Sequence, residues 1–395
     1  MAKLTDIIGK PLSGEWGNDD ETGDGIPVLR TTNFTNEGVV NYNDVVTRII
    51  TKKNIEEKYL RKGDIIIEKS GGSDKFPVGR VIYFDGEENT YLFNNFTGLL
   101  RVKNQDVWYP KYVFYSLFSN YKRGGTRAFE NKTTGLHNLK IDDYVFRYEV
   151  SEIARNEQVS ICEKLDKLFY VIKLRKQELQ LLDNLIKARF VEMFGTLHDN
   201  ENGFEVVTIE DVCSLIKDGT HQTPQYTEDR EEGFKFLSSK DVMSQKIDWT
   251  DIKYIPAELH KKLYATIKPQ RNDILMSKNG VNYGVAAVND TNEVFDIYVS
   301  LALLRPKEII DPVFFRCAIN NPETKKQFDS SIKGIGVPNL HLGEIKKTKI
   351  FLPPMEFQKK FVAFVEQVDK SKVTVQKALE QTQTLFDSLM QKYFG

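Results

Sequence analysis

The sequence predicts a mixed helix-and-strand protein that contains two similar globular copies and two long helices paired as an antiparallel coiled coil. Two observations support this prediction. Segments from the first half of the chain recur in the second half in the same order, and each copy is followed by a long stretch with heptad-spaced apolar residues. A duplicated chain with paired helices is therefore the starting hypothesis.

The clearest repeat joins "RKGDIIIEKSGG" (61–72) to "QRNDILMSKNG" (270–280), with Asp64 and Asp273 lying 209 residues apart. A second joins "GIPVLRTTNFTNEGVVNYND" (25–44) to "GFKFLSSKDVMSQKIDWTD" (233–251) at an offset of 208. A third aligns Asn138 with Asn339 at an offset of 201. Each pair has a short apolar strand beside Gly and polar turn residues. Three segments in one order favour an internal duplication over two unrelated domains.

The stretches that follow the two copies have a helical period. Apolar residues recur in an alternating four-three rhythm, and the two registers differ by 200 residues. The predicted seam consists of Ile161, Leu165, Leu168, Ile172, Leu179, Leu182 and Ile186 in the first helix, and of Phe361, Val365, Val368, Val375, Leu379, Phe386 and Leu389 in the second. Two independent amphipathic helices, each packed on its own domain, are the alternative.

Connectivity predicts the direction of pairing. Each helix leaves a different globular copy, so two helices that pair through their seams must be antiparallel. The predicted organisation is a first domain at 1–150, a first helix at 151–195, a second domain at 196–353 and a second helix at 354–395.

Composition is typical of a soluble globular chain, with 28% charged and 40% apolar residues among 395. The sequence has neither an apolar run of about 18 residues nor a secretory apolar core, so we expect no membrane span and a cytoplasmic location. Cys162, Cys213 and Cys317 lie far apart without CxxC spacing, which fits isolated thiols in a reducing compartment. The net charge of −1 does not decide for or against nucleic acid.

Enzyme signatures are missing from the sequence. There is no P-loop, HExxH or Gly-rich cofactor turn, and the five histidines are scattered. Basic, Gly- and Asn-containing segments occur at equivalent places, 121–140 and 325–349, and suit contacts with phosphates. Catalysis by this chain alone is therefore not expected, and the basic segments suit phosphate contacts, although a solvated basic face would look the same.

Two stretches carry a family resemblance. "KDGTHQTPQYTEDREEGFKFLSSKDV" (217–242) resembles the opening of a target recognition domain in the specificity subunits of type I restriction–modification systems. "GVPNLHLGEIKKTKIFLPPMEFQKKF" (336–361) resembles its end, where a Pro pair and a Gln lead into the spacer helix. The first copy lacks the Pro pair and the GTHxTP motif, although Gln158 lies 200 residues before Gln358. The likeness in domain order covers essentially the whole chain.

The resemblance implies an α/β (α+β) fold with two target recognition domains that have β-rich cores. It implies that each domain reads one half of a bipartite, asymmetric site in double-stranded DNA, and that the helices dock two methyltransferase subunits. Restriction (translocase/nuclease) subunits would join them. The chain itself would bind no cofactor or metal, because S-adenosylmethionine, Mg²⁺ and ATP would belong to the partners.

Other functions remain open from sequence alone. A specificity subunit of a stand-alone methyltransferase, or of a fused methyltransferase–nuclease, would have the same sequence features. A protein-only coiled-coil scaffold and an unrecognised enzyme are alternatives of a different class.

Polar residues in equivalent loops are the candidates for DNA contact, because Ser, Thr, Asn, Lys and Arg hydrogen-bond base edges and phosphates. The candidates are Thr31, Thr32, Lys69, Ser70, Lys75, Arg127 and Asn138 in the first domain, and His221, Ser239, Lys240, Lys278, Asn282, Lys333 and Asn339 in the second.

Overall fold

A computed structural model describes residues 1–133, 136–332 and 337–395 of the chain. The chain forms two compact units. The first unit combines Met1–Lys176 with Lys377–Gly395, and the second unit is Gln177–Gln376. Each long helix therefore contributes one half to each unit.

The first unit is built from short strands, from helices α1 to α4, of which α4 continues into the second unit, and from the end of the C-terminal helix. Its strands are β1 (Ala2–Lys3), β2 (Leu12–Ser13), β3 (Asn18–Asp19), β4 (Ile26–Leu29), β5 (Val46–Ile49), β6 (Ile65–Glu68), β7 (Ser70–Gly72), β8 (Val81–Tyr83), β9 (Leu92–Phe93), β10 (Thr97–Leu100), β11 (Glu130–Thr133), β12 (Leu136–Leu139) and β13 (Glu149–Val150). Its helices are α1 (Leu4–Ile8), α2 (Pro110–Lys122), α3 (Ile141–Arg147) and α4 (Arg155–Phe194).

Two four-stranded sheets form the centre of the first unit. One has the order β2-β10-β6-β8 and is antiparallel, and the other has the order β3-β5-β4-β9 with a parallel β4–β9 pair. β6 reads Ile-Ile-Ile-Glu and is buried throughout, because one face packs against α2 and the other against the second sheet. A three-stranded sheet, β11-β12-β7, joins the end of β6.

The second unit repeats this plan with its own strands and helices. Its strands are β14 (Glu205–Thr208), β15 (Cys213–Asp218), β16 (Phe234–Leu237), β17 (Lys253–Ile255), β18 (Ile274–Ser277), β19 (Ala286–Val288), β20 (Phe295–Ile297), β21 (Leu301–Pro306) and β22 (Lys349–Leu352). Its helices are α5 (Ile209–Val212), α6 (Ala257–Tyr264), α7 (Pro312–Ile319), α8 (Pro322–Ser331), α9 (Leu342–Lys347) and α10 (Met355–Phe394).

Two sheets of the second unit have counterparts in the first. The order β15-β21-β18-β19 corresponds to β2-β10-β6-β8, and the order β17-β16-β20, with β16 and β20 parallel, corresponds to β5-β4-β9. The duplication inferred from short sequence echoes thus extends to the two central sheets, whereas β3 and the sheet β11-β12-β7 have no counterpart among the described strands of the second unit.

The long helices α4 and α10 have 40 residues each. In the first unit, Ile161, Leu165 and Ile172 of α4 share one buried core with Phe386 and Met390 of α10. In the second unit, the last turns of α4 (Ile186, Phe190 and Phe194) pack with the first turns of α10 (Phe361 and Val365). The start of one helix meets the end of the other in both units, so the pairing is antiparallel. Together with the two similar units, this confirms the predicted fold class.

The seam residues are buried or half-buried along both helices, including Leu179, Leu182 and Val375. Polar residues that break the heptad rhythm are also partly buried there. Lys372 of α10 pairs with Asp183 of α4 at 2.5 Å. One ion pair therefore replaces an apolar layer within the seam.

A buried glutamine anchors the first turn of each long helix. Gln158 accepts a hydrogen bond from the Tyr109 N–H at 2.8 Å and donates to the carbonyls of Val107 and Ile153, both at 3.0 Å. Gln358 has the same arrangement in the second unit: it accepts from the Asp311 N–H at 2.8 Å and donates to the Ile309 and Pro353 carbonyls. Because buried polar groups must be satisfied, this amide fixes where each helix leaves its sheet unit.

Candidate nucleic-acid interface

The repeated Asp of the two sequence echoes is structural. Asp64 is buried and receives two hydrogen bonds from Arg101, from Nε and Nη2, both at 2.7 Å. Asp273 is buried and receives the same pair from Arg305 at 2.8 and 2.9 Å. Each carboxylate also accepts a backbone N–H three residues earlier, which closes the turn before β6 or β18. The echo therefore marks a bidentate ion pair that holds the turn and sets where the following loop begins.

The loop after β6 brings three of the candidate residues together. Lys69 and Ser70 follow the strand directly, and Ser70 is the strand partner of Asn138 in β12. The Leu139 N–H donates to the Lys69 carbonyl at 2.8 Å. Strand β12, about 70 residues later in the sequence, thus lies against the end of β6 at Lys69.

The second unit has the same junction after β18. Asn279 and Asn339 form an antiparallel bridge, and the Leu340 N–H donates to the Lys278 carbonyl at 2.9 Å. The Ser300 carbonyl accepts the Lys278 N–H, and the Ser300 hydroxyl accepts the Ser239 N–H at 3.0 Å. Lys278, Asn339 and Ser239, three of the predicted residues, are therefore neighbours.

Lys69 and Lys278 occupy the same place but have different partners. The Lys69 Nζ donates to the Ser13 hydroxyl at 2.9 Å, whereas the Lys278 Nζ donates to the Asp218 carboxylate at 2.7 Å. Ser13 and Asp218 lie on the equivalent strands β2 and β15, opposite Gly98 and Ala302. The Lys69 cation therefore faces a neutral partner, and the Lys278 cation is neutralised within the fold.

Electrostatics follow from these partners. Partial burial lowers the pKa of Lys69, and the charge of Asp142 opposes this shift. Burial by itself raises the pKa of Asp218, but the hydrogen bond and charge of Lys278 lower it below its usual range. His221 lies 3.4 Å from the same carboxylate and is largely exposed. Asp218 therefore joins Lys278 to the loop that carries His221.

The candidates at the end of β4 and β16 lie in short 3-10 turns, Thr31–Asn33 and Ser239–Val242. The Thr31 carbonyl accepts from Arg80 at 2.8 Å, and the Thr32 side chain is exposed. Lys240 lies 2.8 Å from the Asp241 carboxylate and also reaches Asp251 at 3.3 Å. Although burial opposes the shift, hydrogen bonds to these two carboxylates raise the pKa of Lys240.

The remaining candidates lie at loop tips. Arg127 donates to the carbonyls of Asp74 and Lys75 at 3.2 and 3.4 Å, and these hydrogen bonds stabilise the exposed loop that contains Lys75. The Asn282 carbonyl accepts from the Ser277 hydroxyl at 2.9 Å, and the Asn282 side chain is exposed. Lys333 lies outside the described residues. Base reading by the candidate residues remains a prediction.

Exposed apolar side chains flank both junctions, and sequence reasoning missed them. Leu136 and Phe76 are 54% and 60% exposed in the first unit, and Val337 and Val281 are 78% and 86% exposed in the second. Leu136 and Val337 each lie two residues before the aligned Asn, within the similar strings "GLHNL" and "GVPNL". Apolar side chains contact thymine methyl groups or wedge between base steps, so exposed aliphatic residues beside Asn suit a DNA surface. The repeated apolar-x-Asn spacing was the signal available in the sequence.

The described part of the chain contains no group of three or more His, Cys, Asp or Glu side chains placed to hold a metal ion. Cys162, Cys213 and Cys317 are buried free thiols. His137 and His260 are hydrogen-bonded to Glu130 at 2.9 Å and Asp296 at 2.6 Å. Within the described ranges, no helix is both long and apolar enough to span a membrane.

Sequence comparison defines the class of protein. The family model "Type I restriction modification DNA specificity domain" matches residues 2–184 and again residues 201–382. Because the two matches cover most of the chain, the protein belongs to this family. The two matched segments correspond to the two copies of the sheet topology.

Individual relatives are distant but extensive. The type I restriction enzyme EcoBI specificity subunit of Escherichia coli is 23% identical, over 81% of this chain and 73% of its own length. The EcoKI specificity subunit of Escherichia coli K12 is 22% identical, over 94% of this chain and 82% of its own length.

Solved structures have the same fold. The S subunit of a type I restriction–modification system from M. genitalium matches with a TM-score of 0.56 at 17% identity, covering 100% of this chain and 95% of that one. A chain from a study of complex assembly and conformational transition in a type I R-M system matches with a TM-score of 0.54 at 16% identity, covering 100% of this chain and 96% of that one. At these identities the likeness establishes the fold, and the predicted family and fold class are both confirmed.

Proposed function

We propose that the protein is the DNA-reading specificity subunit of a type I restriction–modification complex, and that each unit recognises one half of a bipartite, asymmetric site. The observation that carries this proposal is the duplicated sheet topology with dissimilar polar loops at the same junction. Lys69 and Lys278 are equivalent, but Lys69 pairs with Ser13 and Lys278 pairs with Asp218. Thr32 of the first unit is replaced by Lys240 at the equivalent position of the second. Two units with the same strand framework but different polar side chains suit the recognition of two different base sequences.

The proposed organisation is a first domain at 1–150, a first spacer helix at 151–195, a second domain at 196–353 and a second spacer helix at 354–395, and the two domains are the segments proposed for independent exchange. Each 40-residue helix is about 60 Å long at about 1.5 Å per residue. In this proposal the paired helices set the number of unspecified base pairs between the half-sites.

The helices also offer a surface for protein partners. Tyr170 and Leu174 of α4 in the first unit are each at least 44% exposed, and so are Leu181 and Leu185 of α4 in the second unit. Each pair has a spacing of four residues, which places both side chains on one face of the helix and outside the seam. Large exposed apolar side chains on a helix face favour docking of further helices, and two methyltransferase subunits are the proposed occupants, with restriction subunits joining the assembly.

The chain is proposed to be non-catalytic. S-adenosylmethionine, Mg²⁺ and ATP would be bound by the partner subunits, so that this chain supplies only recognition and assembly. The proposed location is the cytoplasm.

Reconstitution tests the proposal. The chain is purified with the methyltransferase subunit encoded beside it, and DNA methylated by the complex is sequenced. We expect one bipartite motif with a fixed gap, and salt-dependent, sequence-specific binding by the complex. Methylation without a motif, or no DNA binding by a folded complex, would exclude the reading function and favour a protein scaffold.

A further inference from the structure

A groove in the first unit has an apolar floor. It lies between α2, the loop that joins β4 to β5, and the helices α4 and α10, and it encloses about 590 Å³. Its floor contains Phe118, Phe169, Ile172, Phe386 and Met390. A volume of this size is in the range of sites that hold ligands or partner side chains, and a Met in the floor adapts to different shapes.

The rim of this groove is polar and carries more cations than anions. Lys176 pairs with Glu37 at 3.4 Å, and Arg123 donates to the Phe394 carbonyl at 2.5 Å. The Lys122 Nζ lies 5.3 Å from the centre of the Phe118 ring, and among the residues that the structure describes it has no ion-pair partner. Partial desolvation lowers the pKa of Lys122, against the opposing charges of Glu37 and Asp387. An incoming carboxylate would provide the missing partner.

The repeat places an equivalent site in the second unit, where the cavity encloses only about 20 Å³. Its lining residues stand at the repeat positions of the groove residues: Ser244 for Glu37, Asp369 and Lys372 for Phe169 and Ile172, and Ile186 and Phe190 for Phe386 and Met390. The same corner of the same fold is therefore open in one unit and filled in the other.

Charged side chains fill the second site. The Arg316 guanidinium is buried 3.7 Å from the Asp369 carboxylate, and Lys372 lies between Asp369 at 3.8 Å and Asp183 at 2.5 Å. Nε of Arg316 and Oδ1 of Asp369 are buried and have no hydrogen-bond partner among the described residues. A space of about 20 Å³ suffices for one water that could satisfy them. Nothing larger fits.

The loop that borders each site also differs between the two units. Gly38 has φ +79° at the tip of the β4–β5 loop, and an added Cβ would meet the Phe114 ring at 2.6 Å. The residue with positive φ at this tip of the second unit is Gln245, with φ +60°, and the ammonium of the next residue, Lys246, lies 3.9 Å from the Asp369 carboxylate. The side chains of Gln245 and Lys246 line the second site and help to close it.

We propose that the groove of the first unit docks an acidic segment of a protein partner, with a large apolar side chain next to a carboxylate, in one copy per chain. The apolar floor receives the side chain, Lys122 receives the carboxylate, and the amides of Asn36, Gln383 and Gln391 suit a peptide main chain. One copy follows because the equivalent place is filled. This inference rests on the proposed function only for the identity of the subunits used in its test.

Site-specific photo-cross-linking tests the proposal in the complete complex. A benzophenone amino acid replaces Gln383 of the groove rim in one preparation and Lys246 of the second site in another, so that Lys122 is kept, and each is assembled with the methyltransferase and restriction subunits. We expect a cross-link from position 383 only, to a peptide with Asp or Glu beside an aromatic or large aliphatic residue. Cross-links from both positions, from neither, or to a peptide without carboxylates would overturn the proposal.

A binding measurement separates the groove from the assembly. Lys122→Glu should weaken association with the cross-linked subunit about tenfold, and Lys122→Arg should retain it. Lys246→Glu is the matched control and should leave that association unchanged. Equal affinity for wild type and Lys122→Glu would refute the groove as the docking site. If wild-type chain associated with none of these subunits, the proposed function itself would fail, and both proposals would be withdrawn.

Discussion

Replacing Lys278 by Met removes the ammonium that pairs with Asp218 at 2.7 Å and keeps much of the apolar stem. The Lys278 side chain is only 6% exposed and that of Asp218 is 23% exposed, so the remaining carboxylate is poorly hydrated. Removing one partner of a fully buried pair costs about 3–5 kcal/mol. Because Asp218 retains some exposure and His221 lies 3.4 Å away, we expect a loss of about 2 kcal/mol.

The equivalent substitution Lys69→Met is the matched comparison. It removes one hydrogen bond to a neutral hydroxyl, which contributes about 1 kcal/mol or less, and leaves no unpaired charge. The loss in stability should therefore be larger for Lys278→Met. If Lys69 contacts a base, its replacement should instead relax recognition in the first half-site by about 1–3 kcal/mol.

Thermal unfolding and sequencing of methylated DNA measure the two effects separately. For a unit of this size, about 2 kcal/mol corresponds to a midpoint shift of about 4–8 °C. We expect such a shift for Lys278→Met, a smaller one for Lys69→Met, and an altered first half-site only for Lys69→Met. Equal shifts for both variants, or an unchanged motif with Lys69→Met, would refute the reasoning from partner charge.

The pH dependence of unfolding provides an independent check on the Lys278–Asp218 pair. The pKa of Asp218 is lowered in the folded state, so its pairing with Lys278 contributes stability above the unfolded pKa, and this contribution is lost as pH falls through the folded pKa. The difference in unfolding free energy between wild type and Lys278→Met should therefore persist at neutral pH and shrink below about pH 4. A difference that stayed constant down to pH 2 would assign the loss to packing.

Four further predictions follow from the fold. Gln158→Ala and Gln358→Ala should each cost about 3 kcal/mol, because three buried hydrogen bonds are lost, and urea unfolding measures this; a cost below about 1 kcal/mol would show that water replaces the amide. Exchanging residues 1–150 with the equivalent domain of a relative should change one half-site of the methylated motif and leave the other intact, and a change in both would argue against separate readers. Inserting seven residues into each helix at facing positions keeps the seam aligned and lengthens it by about 10.5 Å, which is about three base pairs, so the gap in the methylated motif should widen; a folded, active variant with the original gap would show that the helices do not set the distance. Leu181→Arg together with Leu185→Arg should weaken methyltransferase binding at least tenfold in a pull-down titration while thermal unfolding stays unchanged, because both side chains are exposed.

Heptad spacing and local echoes were sufficient to predict the duplication and the long helices. An amphipathic seam is a property of consecutive residues, so Ile161 to Ile172 and Phe361 to Val368 could be assigned to buried positions without knowledge of the fold. The strand at Ile65–Glu68 and its counterpart at Ile274–Ser277 were likewise visible, because a buried strand between Asp and Gly has a local sequence signature.

Side-chain partners were decided only by tertiary structure. Asp64 and Arg101 lie 37 residues apart, and Lys278 and Asp218 lie 60 apart, and nothing local announces that they pair. From the sequence alone, Lys69 and Lys278 were predicted to have equivalent roles, because the residues on either side of them are similar. Their environments differ because strands β2 and β15, which run beside them, carry a serine in one unit and an aspartate in the other.

The groove of the first unit likewise could not be predicted from local sequence. Phe169 and Asp369 differ in sequence, but each belongs to an ordinary amphipathic helix, so neither residue by itself predicts a site. The open space in the first unit requires α2, the β4–β5 loop and both long helices to meet, and these segments lie far apart along the chain. Periodicity determines which face of a helix is buried, because it depends on neighbours three and four residues away. Complementarity between distant segments determines what that face contacts, and only the folded chain brings those segments together.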